Sequence, residues 1–317
     1  MISEDEFLTR IEKVPLQRLN WALATQRSVE IWVRRDDLID THLSGNKFYK
    51  LYYNLRAAKA AGYKQLLSFG GAYSNHIYAL AAAAKAYGFQ AVGVIRGERP
   101  KYLSPTLQDA EAWGMKLHFV SRTDYRERSS PELRQKLTDI YGDFFEIPEG
   151  GANAYGVQGT KALGVAIHRQ VKSDYTSVCL ASGTANTLAG VAAGLQRAGD
   201  LAQKVIGFSV LKDAGDRGFQ SLGAQVINYQ KAINESTSNW CLINGFHGGG
   251  YGKKLPTNMR QFMTGFECET ELQLDPVYTA KMCWGVAQLL AKDYWQSGSR
   301  LVLIHTGGLQ GRRGFDL

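Results

Sequence analysis

Lys47 closes the tetrad Ser44-Gly45-Asn46-Lys47, at a point where the pattern changes from a strand to a helix. The partial positive charge at a helix N-terminus disfavours a lysine cation, and partial burial disfavours it further. Both effects lower the lysine pKa and leave a free amine, the form that makes a Schiff base with a carbonyl cofactor. Taken alone, the lysine is more simply interpreted as an ordinary surface residue.

Residues 70–76 combine two glycines with a cluster of polar side chains. The paired glycines allow the backbone to approach a ligand closely. Ser74, Asn75 and His76 follow and place a hydroxyl, an amide and an imidazole at the start of an alanine-rich helix. Capping by Ser74 or Asn75 explains part of this pattern, but not the glycine pair together with His76. Binding and purely structural interpretations therefore carry similar weight for this turn.

Residues 181–187 are small and hydroxylated, and they directly follow an apolar strand. Such residues expose backbone N–H groups at the start of the next helix, where an anion can bind. The run lacks the Gly-Lys-Ser/Thr of a P-loop and the GxGxxG of a dinucleotide-binding turn. A single phosphate group is therefore the predicted ligand, and a tight turn with a serine cap is the alternative. The run reads Ala181, Ser182, Gly183, Thr184, Ala185, Asn186 and Thr187.

Thr306 follows the last predicted strand in the run His305-Thr306-Gly307-Gly308. Its hydroxyl could touch the ring edge of a planar cofactor, although a plain strand-ending turn is the simpler interpretation of this run by itself. Together the four turns supply a reactive lysine, an anion site and polar groups around a ring, without a nucleotide motif. That combination matches what pyridoxal phosphate requires.

These turns are positioned by an alternation of short apolar runs with longer helical patterns. The alternation predicts parallel strands joined by helices in an open α/β sheet, whose ligands bind where strands turn into helices. Strands are predicted at residues 29–33, 65–69, 91–95, 116–120, 175–180, 204–210 and 300–305. Helices are predicted at residues 48–61, 74–87, 105–113, 131–141, 155–171, 185–198, 219–233 and 277–295.

Residue pairs ending in proline indicate where several of these helices begin. Ser104-Pro105, Ser130-Pro131 and Asp275-Pro276 each place a capping side chain before a proline in the first helical turn.

The composition excludes several protein classes. The chain of 317 residues has a net charge of +8, but its positive charges are scattered, so nucleic-acid binding is not expected. No run of about 18 uncharged apolar residues exists, so no membrane-spanning helix is expected. The 4 cysteines are too widely spaced for a disulfide scaffold or a metal site. The acidic residues 1–6 lack the positive charge of an export signal, which predicts a cytoplasmic protein.

Several motifs in a fixed order resemble the fold type II pyridoxal-phosphate enzymes, in particular the D-cysteine desulfhydrase and 1-aminocyclopropane-1-carboxylate (ACC) deaminase group. The resemblance extends from residues 35–37 to the C-terminus. Its motifs are Ser44-Gly45-Asn46-Lys47-Phe48-Tyr49-Lys50-Leu51, Gly70-Gly71-Ala72-Tyr73-Ser74-Asn75-His76, Glu149-Gly150-Gly151, Ser182-Gly183-Thr184, Tyr251-Gly252, Asp275-Pro276-Val277-Tyr278 and His305-Thr306-Gly307-Gly308.

The resemblance implies a tryptophan synthase β-like fold, α/β in class, with two open parallel-sheet domains and pyridoxal 5'-phosphate in the cleft between them. A large cofactor-binding domain would comprise residues 1–53 and 161–317. A small α/β domain, residues 54–160, would be inserted into it.

The same resemblance implies roles for individual residues. Lys47 would be the Schiff-base lysine, Asn75 would lie beside the cofactor's ring oxygen, and Thr306 would meet the pyridine nitrogen. The phosphate would lie in the turn formed by Ser182, Gly183, Thr184, Ala185, Asn186 and Thr187. The substrate would contact Tyr73, Ser74, Asn75 and His76 on one side and Tyr251 and Tyr278 on the other. The catalytic residues would be Lys47, Ser74, Tyr251 and Tyr278, and no metal is expected.

Departures from the family pattern bear on the substrate. Tyr73 stands where relatives usually carry glutamine, so its bulky phenol would narrow or reshape the carboxylate pocket. The usual Asn-Pro-Leu-Gly segment is replaced by residues 153–156, Asn-Ala-Tyr-Gly. ACC deaminases place a glutamate after the tyrosine of Pro-Val-Tyr, but this chain has Thr279 there and offers Thr306, as the desulfhydrases do. A neutral hydroxyl does not keep the pyridine nitrogen protonated, which weakens the electron sink.

We therefore expect α,β-elimination on D-cysteine, which has an acidic Cα proton and a good leaving group, to give pyruvate, sulfide and ammonia. ACC deamination to 2-oxobutanoate and ammonia is the alternative activity. A pyridoxal- or nucleic-acid-binding protein without catalysis is the alternative class. The resemblance also suggests a homodimer that acts on a small amino acid.

Overall fold

The computed structural model describes residues 1–200, 204–211, 221–250, 255–315 and 317. Its strands form one sheet of six strands and one of four. The strands are β1 (Leu16–Leu19), β2 (Glu30–Arg34), β3 (Gln65–Gly70), β4 (Gln90–Arg96), β5 (Met115–Val120), β6 (Phe145–Ile147), β7 (Ser177–Ser182), β8 (Lys204–Ser209), β9 (Trp240–Ile243) and β10 (Arg300–Ile304).

Both sheets are built mainly from parallel strands. The six-stranded sheet has the order β1-β2-β10-β7-β8-β9, and all its pairs are parallel except β1 with β2. The four-stranded sheet has the order β5-β4-β3-β6 and is parallel throughout. Strands β3 and β7 are buried along their whole length, as parallel strands covered on both faces must be. The predicted fold class is thereby confirmed, with β1 making the larger sheet mixed.

Helices pack on the faces of both sheets. They are α1 (Glu4–Glu12), α2 (Ala22–Gln26), α3 (Asn46–Ala60), α4 (Asn75–Tyr87), α5 (Pro105–Ala112), α6 (Arg122–Arg126), α7 (Pro131–Tyr141), α8 (Ala154–Val171), α9 (Asn186–Arg197), α10 (Leu222–Lys231), α11 (Thr257–Thr270) and α12 (Thr279–Ala291). A 3-10 helix, Leu309–Gly314, follows β10 and is called the C-terminal 3-10 helix below. None of the helices described here is long and apolar enough to cross a membrane.

The pair Asp275-Pro276 does not open a helix, contrary to the prediction. Asp275 Oδ1 accepts hydrogen bonds from the backbone N–H groups of Val277 (3.1 Å) and Tyr278 (2.6 Å). These bonds close a tight turn of the kind that aspartate favours, and α12 begins only at Thr279. The predicted helix start at residue 219 lies outside the described residues, and α10 is described from Leu222.

The core is arranged around α3. One cluster of buried side chains includes Phe48 and Leu55 of α3 together with Leu66 of β3 and Val178 of β7, so it reaches both sheets. A second cluster covers the opposite face of the six-stranded sheet, and a third covers the opposite face of the four-stranded sheet. Because α3 belongs to the shared cluster, its packing holds the Lys47 turn between the two sheets.

Candidate active site

The turn that leads into α3 is shaped by the end of β10. Gly45 has a φ of +62°, and a Cβ at this position would collide with the backbone carbonyl of Thr306. Asn46 N–H donates to that same carbonyl oxygen at 3.3 Å. Only glycine fits at residue 45, because both the positive φ and the close approach exclude a side chain. The contact places Thr306 next to the residues that carry Lys47.

Lys47 lies in the first turn of α3, half-buried. Its Nζ donates to Asn46 Oδ1 at 2.9 Å, and Asn46 Nδ2 donates to Thr187 Oγ1 at 3.0 Å. Burial lowers the pKa of Lys47 to about 8, against the opposing attraction of the Asp275 carboxylate. Part of the Lys47 population is therefore a free amine near neutral pH. The lowered pKa agrees in direction with the prediction from the sequence.

The turn between β7 and α9 leaves polar groups facing inward without partners. Ala185, with a φ of +58°, precedes the first residue of α9, and no side chain caps this helix. The first N–H groups of α9 therefore lack a side-chain acceptor. Ser182 Oγ and Asn186 Oδ1 are buried and have no hydrogen-bond partner among the described residues. An uncapped helix start with a buried hydroxyl is suited to bind an anion.

Tyr278 covers this turn. A Cβ at Gly183 would lie 3.1 Å from Cε1 of the Tyr278 ring, so the ring rests directly on the glycine. The predicted phosphate turn and the predicted substrate residue Tyr278 are therefore in contact. Tyr251, predicted on the same side of the substrate, lies outside the described residues.

Lys50 is a site residue that our sequence reasoning did not identify. It lies one helical turn after Lys47, is 2% exposed, and places Nζ 3.4 Å from Thr184 Oγ1. Burial and the neighbouring Lys47 hold the pKa of Lys50 well below its usual value. A buried lysine next to an uncapped helix start fits the phosphate of pyridoxal phosphate, whose negative charge would favour the protonated side chain. The spacing of three residues from Lys47 on the same helix face was the signal that could have identified it.

The second turn places its polar residues at the start of α4. Ser74 caps the helix, accepting a hydrogen bond from Ile77 N–H at 3.2 Å. His76 is 2% exposed, and its Nε2 lies 2.8 Å from Ser68 Oγ on β3. Ser68 donates its hydroxyl hydrogen to the Ile147 carbonyl at 2.6 Å, so Nε2 must carry the hydrogen that Ser68 accepts.

His76 is therefore neutral with a bare Nδ1. Burial, together with the charges of Lys47 and Lys50, holds the pKa of His76 well below its usual value. Nδ1 is buried and has no partner in the described part of the chain. The ring is anchored on β3, so its contact with a ligand is limited to acceptance of a hydrogen bond at Nδ1.

Asp275 is a second site residue to which the sequence analysis gave no role in the site, although it lies in a family motif and was predicted to cap a helix. Its carboxylate is 1% exposed and accepts a hydrogen bond from the Asn75 amide as well as those from Val277 and Tyr278. Burial raises its pKa to about 7, although these three hydrogen bonds oppose the shift. Asp275 therefore joins the α4 turn of the small sheet to the turn before α12.

The remaining predicted residues surround this centre. Thr279 Oγ1 accepts from Asp275 N–H at 2.7 Å and donates to the Asp275 carbonyl at 3.3 Å. Both hydrogen bonds of this hydroxyl therefore stabilise the turn before α12. Thr306 is 8% exposed at the end of β10. The ring of Tyr73 packs against Gly314 of the C-terminal 3-10 helix, where a Cβ would overlap it. No cluster of three His, Cys, Asp or Glu side chains suited to a metal ion occurs in the described ranges.

Comparisons with known proteins find chains of similar sequence and similar fold. A family model for "Pyridoxal-phosphate dependent enzyme" matches residues 8–307. A "Putative 1-aminocyclopropane-1-carboxylate deaminase" of Pyrococcus horikoshii is 28% identical over 94% of this chain and 90% of its own length. A mitochondrial bifunctional D-cysteine desulfhydrase/1-aminocyclopropane-1-carboxylate deaminase of Arabidopsis thaliana is 27% identical over 94% of this chain and 76% of its own length.

Solved structures share the architecture. The crystal structure of an ACC deaminase homologue superposes with a TM-score of 0.82 at 24% identity, covering 98% of this chain and 97% of that one. An O-ureido-L-serine synthase superposes with a TM-score of 0.70 at 15% identity, covering 96% and 92% of the two chains. At such identities the likeness establishes the fold and leaves the substrate open.

Proposed function

Because the chain belongs to the family of pyridoxal-phosphate dependent enzymes, we propose that it catalyses α,β-elimination on D-cysteine. With one water molecule, D-cysteine gives pyruvate, sulfide and ammonia. When bound, pyridoxal phosphate supplies an aldehyde that links to amino groups and a ring that accepts electrons from Cα. The names of the relatives, which include D-cysteine desulfhydrase and ACC deaminase, support a small amino acid as the substrate.

We assign the cofactor contacts as follows. Lys47 binds the aldehyde, and the turn of residues 182–187 holds the phosphate together with Lys50. Asn75 donates to the ring oxygen, and Thr306 meets the pyridine nitrogen. Three features support the phosphate position: the Ser182 hydroxyl, which has no partner among the described residues, the uncapped start of α9, and the buried side chain of Lys50.

In this proposal, Lys47 is the base that removes the proton from Cα, because a pKa of about 8 leaves part of its population as free amine at neutral pH. Ser74 and the backbone at the start of α4 bind the substrate carboxylate, with Tyr73 and His76 beside them. Tyr278 and Tyr251 close the opposite side. The contact of Tyr278 with Gly183 supports its position next to the cofactor.

One observation favours D-cysteine over ACC. The hydroxyl of Thr279 is engaged within its own turn, and the Asp275 carboxylate is engaged by Asn75 and two backbone N–H groups. Because both residues are engaged elsewhere, we assign the contact with the pyridine nitrogen to Thr306, whose neutral hydroxyl does not keep that nitrogen protonated. A weaker electron sink suffices for loss of a good leaving group. It is poorly suited to ACC, which has no Cα hydrogen and whose ring must be opened.

A product-release screen tests this function. Pyruvate is measured with D-cysteine, L-cysteine, β-chloro-D-alanine and D-serine, and 2-oxobutanoate is measured with ACC. We expect turnover of D-cysteine to exceed that of ACC by at least about tenfold, a barrier difference of ~1.4 kcal/mol. Equal turnover of ACC would overturn the substrate assignment. Borohydride reduction that labels a lysine other than Lys47 would overturn the assigned cofactor lysine.

We also propose the domain limits and the assembly suggested by the sequence. Residues 54–160 form the small domain, because they contain all four strands of the smaller sheet. Residues 1–53 and 161–317 form the large one. Light scattering on the purified holoenzyme tests the proposed homodimer.

A further inference from the structure

A chain of side-chain hydrogen bonds leads from the C-terminal 3-10 helix to the candidate active site. Thr106 Oγ1 donates to Gln310 Oε1 at 2.7 Å, and Arg313 Nη2 reaches the same oxygen at 3.4 Å. Gln310 Nε2 donates to Asn75 Oδ1. The Asn75 amide in turn donates to the buried carboxylate of Asp275.

The direction of these hydrogen bonds is set at the Arg313 end, because an arginine side chain can only donate. Arg313, itself held by Asp109 at 2.6 Å, makes Gln310 Oε1 an acceptor and turns Gln310 Nε2 towards Asn75. Asn75 must then present Oδ1 to Gln310, so its Nδ2 group faces Asp275 and the site.

Gln310 and Asn75 also line the same cavity. The cavity has a volume of about 340 Å³, and its walls include Asn75, Gln310, His42 and Tyr78. Water can donate to an amide oxygen or accept from an amide nitrogen, so water alone would not distinguish the two orientations of Asn75. Gln310 supplies a donor at this wall and thereby selects one orientation.

We propose that Gln310, oriented by Thr106 and Arg313, is a positioning residue that makes Asn75 present its Nδ2 group to the ring oxygen of the cofactor. The inference rests on the proposed function, which provides the contact between Asn75 and that oxygen. One Nδ2 hydrogen is used by Asp275, and the second is directed to the ring oxygen. A hydrogen bond to a charged oxygen is about twice as strong as a neutral one, so the orientation of this amide matters for cofactor affinity.

The variant Gln310→Glu tests the proposal because it replaces the donor at residue 310 with an acceptor while keeping the size and shape of the side chain. The introduced carboxylate still accepts from Thr106 and Arg313, but it can only accept at Asn75. Asn75 then turns its Nδ2 group towards residue 310 and its Oδ1 towards the cofactor. We expect the Kd of the apoprotein for pyridoxal phosphate to rise at least about tenfold, equivalent to ~1.4 kcal/mol.

A cofactor analogue separates this effect from a general loss of structure. The analogue 3-deoxypyridoxal 5'-phosphate lacks the ring oxygen, so the orientation of Asn75 matters much less for its binding. We expect Gln310→Glu to raise the Kd of the analogue less than threefold. The matched control is Gln108→Glu, the same substitution at an exposed position on α5, close to Thr106 in sequence. We expect it to leave both Kd values unchanged.

Fluorescence titration of the apoproteins measures all the constants and needs no turnover. An unchanged Kd of Gln310→Glu for pyridoxal phosphate would overturn the proposal, as would an equal weakening for both cofactors. Failure of the proposed function is seen separately: the unmodified protein would then not be labelled at Lys47 by pyridoxal phosphate and borohydride.

Discussion

Lys47 and Lys50 lie one turn apart on α3, and we propose different roles for them. Lys47 has a moderately lowered pKa, whereas Lys50 is more deeply buried and has Lys47 as a like-charged neighbour. Burial and mutual repulsion favour the neutral amine form of both lysines unless an anion offsets their charge. The bound phosphate would supply that negative charge next to Lys50, leaving Lys47 to react as an amine.

The lysine pKa leads to a first prediction about pH. The free amine of Lys47 forms as pH rises through about 8, well below its usual value of 10.5. The rate of covalent cofactor capture by the apoprotein should therefore rise about tenfold per pH unit below pH 8 and level off above it. Borohydride trapping at a series of pH values measures this rate. A rate that still climbs tenfold between pH 9 and 10 would contradict the prediction.

Lys50 leads to a second prediction, which separates the phosphate from the rest of the cofactor. Lys50→Met should raise the Kd for pyridoxal phosphate at least about tenfold, because a charge-assisted contact is lost. The Kd for pyridoxal, which lacks the phosphate, should change little. Lys59→Met, at an exposed position in the last turn of α3, is the matched control. Equal effects on both cofactors would show that Lys50 acts on the fold instead.

Asp275 leads to a third prediction, about stability. Burial raises its pKa from 3.8 to about 7, so the folded state favours the protonated carboxyl. The stabilisation is complete below about pH 4 and is lost as pH rises through about 7, by at most ~4 kcal/mol. Asp275→Asn removes this titration, so its free energy of unfolding should fall less than that of the unmodified apoprotein between pH 5 and 8. Urea unfolding at four pH values in this range measures both curves, and parallel curves would contradict the prediction.

At the scale of elements, the entry into α3 depends on one glycine. In Gly45→Ala the new Cβ would collide with the Thr306 carbonyl at a positive φ, so we expect the free energy of unfolding to fall by at least ~3 kcal/mol. Gly62→Ala, just beyond the other end of α3, is the matched control. It also has a positive φ but no atom within 4 Å of the new Cβ, so a loss of ~1 kcal/mol is expected. Equal losses in urea unfolding would show that the contact with β10 is unimportant.

Most of the longer elements could be predicted from the sequence, although the helices α1 and α11 were missed, and short elements with weak local signals could not. The interior strands β3, β4, β7 and β8 are continuous apolar runs, which a single sequence reveals. Strands β1, β6 and β9 have only three or four residues each and lie at or near sheet edges, so their pairing decides their structure. Short helices such as α2 and α6, with five residues each, are equally dependent on their surroundings.

The same distinction applies to the candidate site. The turns of Lys47 and Thr306 were indicated by their local residue pattern, and the structure brings them into contact. The roles of Lys50 and Asp275 depend on neighbours distant in sequence, Thr184 and Asn75 respectively. Such partners become visible only when the two sheets are placed side by side. Gln310 was inaccessible to sequence reasoning for the same reason.

At the scale of the whole molecule, Arg34 connects four elements. Its buried guanidinium, on β2, contacts Asp36 and Tyr49 at 3.3 Å each, and also the Ile11 carbonyl of α1 and Gln170 of α8. Tyr49 belongs to α3, two residues after Lys47. The Arg34–Asp36 ion pair and its neighbouring hydrogen bonds therefore hold α1, α3 and α8 against strand β2 of the larger sheet.

Arg34 leads to a prediction on overall stability. Arg34→Met should lower the free energy of unfolding by ~3–5 kcal/mol, because the buried Asp36 carboxylate loses its partner. Arg56→Met removes an exposed ion pair with Glu4 and should cost less than ~1 kcal/mol. Urea unfolding of both variants makes the comparison. A small loss in Arg34→Met would show that Asp36 is adequately stabilised by Tyr49 alone.

The position of β10 in the sheet has a consequence for biosynthesis. This strand follows all the other described strands along the chain, yet it lies between β2 and β7, which are both translated much earlier. A nascent chain leaving the ribosome therefore exposes the unpaired edges of β2 and β7, which are sites for aggregation and for chaperone binding. The turn before Lys47 also lacks the Thr306 carbonyl until β10 inserts. The Lys47 turn is therefore complete only when β10 has paired within the sheet.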